Sequence, residues 1–121
     1  MKRRVKREYP IKLIKYNEFD HEIDSAGKPV LMLCIRRDYE FSSQTDLIRD
    51  VLGRMVQGFP IDLKVCLVDE ESRLALKDKL DLQGSPAFLL FEKGEEKNRL
   101  LGVADEEQLR GFLSSTLGWN L

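Results

Sequence analysis

The segment RRDYEFSS, residues 36 to 43, gathers the side chains of this chain whose types and spacing could do chemistry, between an apolar run and an expected helix. Ser42 or Ser43 at a helix start could act as a nucleophile, but such a hydroxyl needs an adjacent base, and the single histidine, His21, falls in a different expected helix, facing solvent. The residue pattern favours N-capping instead, with Ser43 as cap and Asp46 three residues on. Glu40 lies near the helix N-terminus, which stabilises its charge and lowers its pKa, the reverse of what a general acid requires. Arg36 and Arg37, with Ser43, form a candidate site for a phosphate or carboxylate. The two cysteines, Cys34 and Cys66, sit in the apolar runs VLMLCI and LKVCLV, with neither CxxC spacing nor histidine partners for a metal. They read as buried structural thiols. The acidic clusters DEES and DEEQ read as helix starts rather than metal sites, since Asp and Glu complement the helix dipole there. No cofactor and no metal is expected.

With 121 residues, the chain has the size of one domain. A composition 42% hydrophobic and 34% charged is that of a soluble globular protein, and a net charge of -1 gives no strong field toward nucleic acid. The charge is uneven, however: Lys2, Arg3, Arg4, Lys6 and Arg7 crowd the start, so residues 1–10 are expected to be a basic arm and 11–121 the folded domain. Such an arm can bind phosphate backbones or anionic lipid, but reads first as a solubilising terminus. No apolar leader with a small-residue cleavage site follows the early arginines, and no run reaches the roughly 18 apolar residues of a membrane span. A cytoplasmic protein without membrane contact is therefore expected.

The elements that must position these residues follow from periodicity. IKLIKY (11 to 16) is strand-like, and Phe19 and Ile23 mark a helix that Gly27 stops. PVLMLCI (29 to 35) is a continuous apolar run, suited to a strand covered on both faces. From Ser43, the residues Leu47, Ile48, Val51, Leu52, Met55 and Val56 recur at helical spacing until Gly58 and Pro60. IDLKVCLV (61 to 68) is a third strand and DEESRLALKDKL (69 to 80) a short helix. Two strands, near 87 to 92 and 98 to 103, flank a turn at Gly94. A last helix has Asp105 and Gln108 as its cap and Leu109, Phe112, Leu113 and Leu117 as its apolar face, before Trp119, expected to dock on the body. The order β-α-β-α-β-α-β-β-α, with right-handed crossovers and a terminal hairpin, predicts a three-layer α/β/α sandwich on a mixed five-stranded sheet.

In this order the chain resembles the thioredoxins. GSPAFLLFEKGE, LLGV and EEQLRGFLSSTL look like that family's run from the cis-proline through the final hairpin to the last helix. KPVLMLCI is similar to its central strand, and IDLKVCLVDEE to the strand beside it, so the resemblance covers roughly residues 11 to 117. It implies a cis bond before Pro86. The redox motif WCGPCK does not come with it: Asp38 stands at the tryptophan, Tyr39 and Ser42 at the two cysteines, and Glu40 and Phe41 between them. The buried carboxylate of the thiol mechanism would fall at Leu33.

The resemblance implies that the substrate groove persists without the chemistry. Its borders are Tyr39, Glu40, Phe41 and Ser42 on one loop, Ser85 and Pro86 before the fourth strand, and Gly102 and Val103 before the last helix. In thioredoxins the residue before the cis-proline pairs by its backbone with an extended peptide; Tyr39 and Phe41 would add aromatic anchors. The expected function is binding of a protein or peptide partner, of chaperone or assembly-factor type, without disulfide oxidoreductase activity. Two alternatives stand beside it: a redox protein acting through a single thiol, Cys34 or Cys66, and anion or nucleic-acid binding through the basic arm.

Overall fold

In the computed structural model, which describes residues 9–24, 27–38, 40–58 and 62–118, the chain forms β1 (Lys12–Ile14), α1 (Phe19–Asp24), β2 (Val30–Cys34), α2 (Glu40–Gly58), β3 (Lys64–Val68), α3 (Arg73–Leu80), β4 (Ala87–Glu92), β5 (Glu95–Leu101) and α4 (Glu106–Leu117). The basic arm, Tyr39 and Trp119 lie outside the described residues. The sheet runs β1-β3-β2-β4-β5, with β1, β3 and β2 parallel and β4 and β5 antiparallel.

Every residue of β2 is buried, so the strand needs cover on both faces. Its alternation supplies two cores. Leu31 and Leu33 point to one side, where they meet Ile48, Val51 and Leu52 of α2 and Leu109 and Leu113 of α4. Val30, Met32 and Cys34 point to the other, with Phe19 and Ile23 of α1 and Leu76 of α3. The result is the expected α/β/α sandwich.

Element edges depart from the sequence reading, each for a local reason. Ser43 does not cap α2. The helix starts at Glu40, the Phe41 N–H already bonds to the Asp38 carbonyl at 3.1 Å, and Ser42 and Ser43 are exposed residues of its first turn. Phe41 packs against the α2 side of the core, so the apolar face begins more than a turn before Leu47. The first strand ends at Ile14, because Tyr16 enters a tight 3-10 turn (Tyr16–Glu18) ahead of α1. The acidic segment after β3 likewise divides into a 3-10 turn (Glu70–Ser72), capped by Asp69 accepting from the Ser72 N–H at 2.9 Å, and then α3. Strand β5 begins at Glu95 rather than 98, since Lys93 and Gly94 both take positive φ (54° and 80°) and close a two-residue hairpin. A Cβ on Gly94 would stand 2.7 Å from Asp24 Oδ1, so the Asp24 side chain would have to move aside, and the φ of 80° further favours glycine there. At α4 the reciprocal cap forms as expected, Gln108 N–H to Asp105 at 2.8 Å and Asp105 N–H to Gln108 at 2.9 Å.

One buried charge ties the α1 layer to the sheet. Glu22 is 4% exposed, and its carboxylate accepts from Lys12 Nζ at 2.7 Å and from Lys64 Nζ. Those two hydrogen bonds outweigh desolvation and hold the Glu22 pKa below the ordinary carboxylate range. A depressed pKa stabilises the fold above the unfolded value of about 4.3, and that contribution disappears as pH falls through the folded value. Urea midpoints measured between neutral pH and about pH 3 should therefore fall steeply for the wild type. Glu22→Gln should be less stable at neutral pH by about 1–3 kcal/mol and show a shallower acid decline.

Candidate functional site

At one end of the sheet β2 gives up its chain and β4 takes it in, and three segments are brought together there by their backbones. The Arg36 N–H donates to Ser85 Oγ at 3.0 Å, joining the turn after β2 to the turn before β4. The Ser85–Pro86 peptide bond is cis, Pro86 is buried and Ser85 exposed. The Gly102 N–H donates to the Pro86 carbonyl at 2.9 Å, and Gly102 holds φ +94°, a conformation that favours glycine. Val103 follows it with 52% of its surface exposed.

Gln44, a residue the sequence reading missed, fixes this last loop. It is 3% exposed, and its side-chain amide pairs with the backbone of Ala104 in both directions: Nε2 to the carbonyl at 3.1 Å and the Ala104 N–H to Oε1 at 2.9 Å. A glutamine thereby acts as one rung of a strand, holding the Gly102–Val103 loop against α2. No periodicity signal marks it, because its partner lies 60 residues away.

The expected anion group divides. Arg37 directs its guanidinium to the carbonyls of Ile35 and Val68, both at 3.4 Å, and stacks 4.3 Å over the Phe41 ring. Phe41 is thus half-buried, one face toward the core and the other under Arg37. Ser43 stands exposed on α2. Arg36 lines a cleft of about 290 Å³ with Arg73, Leu74 and Lys77 of α3 and with Ser85, and that cleft includes neither Arg37 nor Ser43.

Cys34 lines the same cleft from below, yet is only 2% exposed; Cys66 is fully buried, and both are free thiols. Met32 of β2 pairs with Cys66 of β3, which puts Cys34 one diagonal step along the same sheet face. Burial pushes the Cys34 thiol up to about 12 and the Cys66 thiol up to about 11. His21 is exposed on α1. Among the described residues, no group of three or more His, Cys, Asp or Glu side chains could hold a metal ion, and no helix is long and apolar enough to cross a membrane.

Two solved structures share this arrangement of strands and helices over almost their whole length. One is a designed protein, with a TM-score of 0.69 and 20% identity, covering 91% of this chain and 95% of its own. The other is a mutant thioredoxin from Halobacterium salinarum, with a TM-score of 0.66 and 20% identity, covering 92% of this chain and 94% of its own. The chain has a thioredoxin-like fold. At this identity the likeness extends to the fold alone. No family model matches the sequence, and no curated protein matches it.

Within the thioredoxin-like fold, Gln44 anchors the Ala104 end of the loop 102–104, as the Pro86 carbonyl anchors the Gly102 end. Gln44→Leu leaves the buried Ala104 N–H and carbonyl unpaired and should lower stability by about 2–4 kcal/mol in urea unfolding. Hydrogen exchange at the Ala104 amide should accelerate more than exchange in β3. Equal acceleration at both would show that the glutamine holds no loop in particular.

Proposed function

We propose that this thioredoxin-like protein binds an extended segment of a partner protein across Ser85 and Val103, as a chaperone or assembly factor, and does not catalyse disulfide exchange. One observation carries the reading. Ser85 is exposed, and among the described residues neither its backbone N–H nor its carbonyl takes part in a hydrogen bond, beside a buried proline that fixes its place. An unpaired donor and acceptor on a rigid frame is what an extended chain needs for strand-like pairing. Exposed apolar side chains border it: Leu74 at 61%, Val103 at 52%, and Leu101 at 49% on the residue paired with Ala87. They supply the side-chain contacts that backbone pairing lacks.

The same loop sequence supports the absence of disulfide chemistry, with Tyr39 and Ser42 at the positions where thioredoxins carry cysteines. Both thiols that remain are buried. Two free cysteines also support a cytoplasmic setting, where thiols are kept reduced. Cys34 at the floor of the cleft is the feature that favours a single-thiol redox protein, and its 2% exposure opposes it.

Panning a random peptide library displayed on phage should enrich peptides that the wild type binds. Val103→Asp, a change at an exposed position, should weaken them by about tenfold or more. Failure to enrich any peptide, or equal binding by the variant, would remove the reading. Thiol labelling separates the redox alternative. With the Cys34 pKa near 12, the thiolate fraction at pH 8 is on the order of one in ten thousand, so native protein should label far more slowly than denatured protein. Rapid native labelling of Cys34 together with catalysed disulfide reduction would establish the alternative instead.

A further inference from the structure

Among the described residues, the arginines other than Arg36 each give their guanidinium to an oxygen. Arg49, Arg54, Arg73, Arg99 and Arg110 reach carboxylates, and Arg37 reaches two carbonyls. Arg36 has no such side-chain contact among those residues. It lines the 290 Å³ cleft together with Lys77, which also lacks an ion pair there, and with Arg73, whose Nε lies 3.4 Å from Glu70. Among the described residues, no carboxylate lines this cleft. Arg36 and Lys77 thus converge beside Arg73 with Glu70 as the one carboxylate among those residues in reach of the three, and a bound anion would relieve the repulsion that remains.

We propose that this cleft is an oxyanion site, taking a carboxylate or phosphate carried on a short apolar stem. Chemistry and size agree on that class. The planar guanidinium of Arg36 matches the two oxygens of a carboxylate or phosphate, and Lys77 adds a compact charge. Arg73 and Lys77 are four residues apart on α3 and so share a helix face, opposite Arg36 on the turn after β2. The Ser85 hydroxyl accepts from the Arg36 N–H and keeps its own proton to donate to an anion. Leu74 and Leu82 supply apolar wall for the stem, and the volume suits one side chain or a small metabolite rather than a large ligand. The oxyanion has two possible sources, a free small anion or an acidic or phosphorylated side chain of a segment paired with Ser85. Only the second rests on the peptide-binding reading.

Amide NMR on ¹⁵N-labelled full-length protein tests the site. One titration uses inorganic phosphate against sodium chloride at matched ionic strength. Two others use an N-acetylated pentapeptide with a central glutamate and the same peptide with glutamine. The expected result is saturable shifts at Arg36, Arg73, Lys77, Gly84 and Ser85 with phosphate or the glutamate peptide, weakened by about tenfold in Arg36→Gln/Lys77→Gln. Both side chains are exposed, so the double variant should fold, with unchanged shifts in β3 as the check. Binding of phosphate alone supports a free-anion site; preference for glutamate over glutamine supports the peptide source. Shifts that match sodium chloride for both anions, or equal affinity in the double variant, would overturn the proposal. The peptide reading has its own readout, since the glutamine peptide should still move the amides of Gly102 and Val103.

Discussion

Strand β2 sets the constraint from which the architecture follows, because Val30 to Cys34 have no side left to give to water. A strand buried on both faces must sit inside its sheet and must have a helical layer above and below. Parallel pairing with β3 requires a long crossover, which α2 supplies on the Leu31 and Leu33 side. Helices α1 and α3 then cover the Met32 and Cys34 side. Each large side chain removed from water in this way contributes about 1.5–3 kcal/mol before the entropy of ordering is subtracted. The two layers therefore have little freedom to shift, and the turns that leave β2 and enter β4 must meet in the gap between them.

At that meeting point burial gives way to single polar contacts. The Arg36 N–H on Ser85, the Gly102 N–H on Pro86 and the Gln44 amide on Ala104 each anchor one segment to another. The Gln44–Ala104 pair is buried and so demands its partners, which specifies the loop position more sharply than apolar packing alone would, while the Arg36 and Gly102 contacts lie at the surface. Arg37 extends the same logic by closing over Phe41. An aromatic side chain that the sequence suggested as an outward anchor is thereby turned largely into part of the body. What stays open to solvent is the Ser85 backbone, the Val103 side chain and the cationic cleft beside them.

The fold was legible because its strongest signals are local. The apolar run of β2, the alternation of strands and helices, the Gly94 turn and the Asp105 and Gln108 cap each depend on neighbours a few residues away, and each produces its element. The start of α2 was misread because a serine three residues before an acid fits a cap wherever it occurs, whereas the actual start depends on Phe41 reaching the core. Glu22 and Gln44 look in the sequence like ordinary surface residues of amphipathic helices. Their burial is set by Lys12, Lys64 and Ala104, which only the folded sheet and loops bring within reach. Arg73 and Lys77 likewise read as a solvated helix face, and nothing in their spacing points to Arg36 across the cleft.

The thiol beneath that cleft clarifies what its cations do. Arg73 and Arg99 both favour a charged Cys34, as cations near a reactive cysteine would, yet desolvation outweighs them and leaves the pKa near 12. Arg99 is largely committed in any case, since Glu96 holds it with two bonds of 2.6 Å and 2.8 Å and it donates further to the carbonyls of Leu80 and Asp81. Arg73 and Arg99 are the cations that act on this thiol, and Arg36 and Lys77 stand farther out along the cleft as exposed side chains. The positive charge at this end of the sheet thus finds no thiolate inside the protein to stabilise. Glu70 offsets Arg73 alone, so the like charges of Arg36 and Lys77 raise the free energy of the folded state unless they are offset from outside, and the opening of the cleft beside Ser85 makes them accessible to a ligand's negative charge.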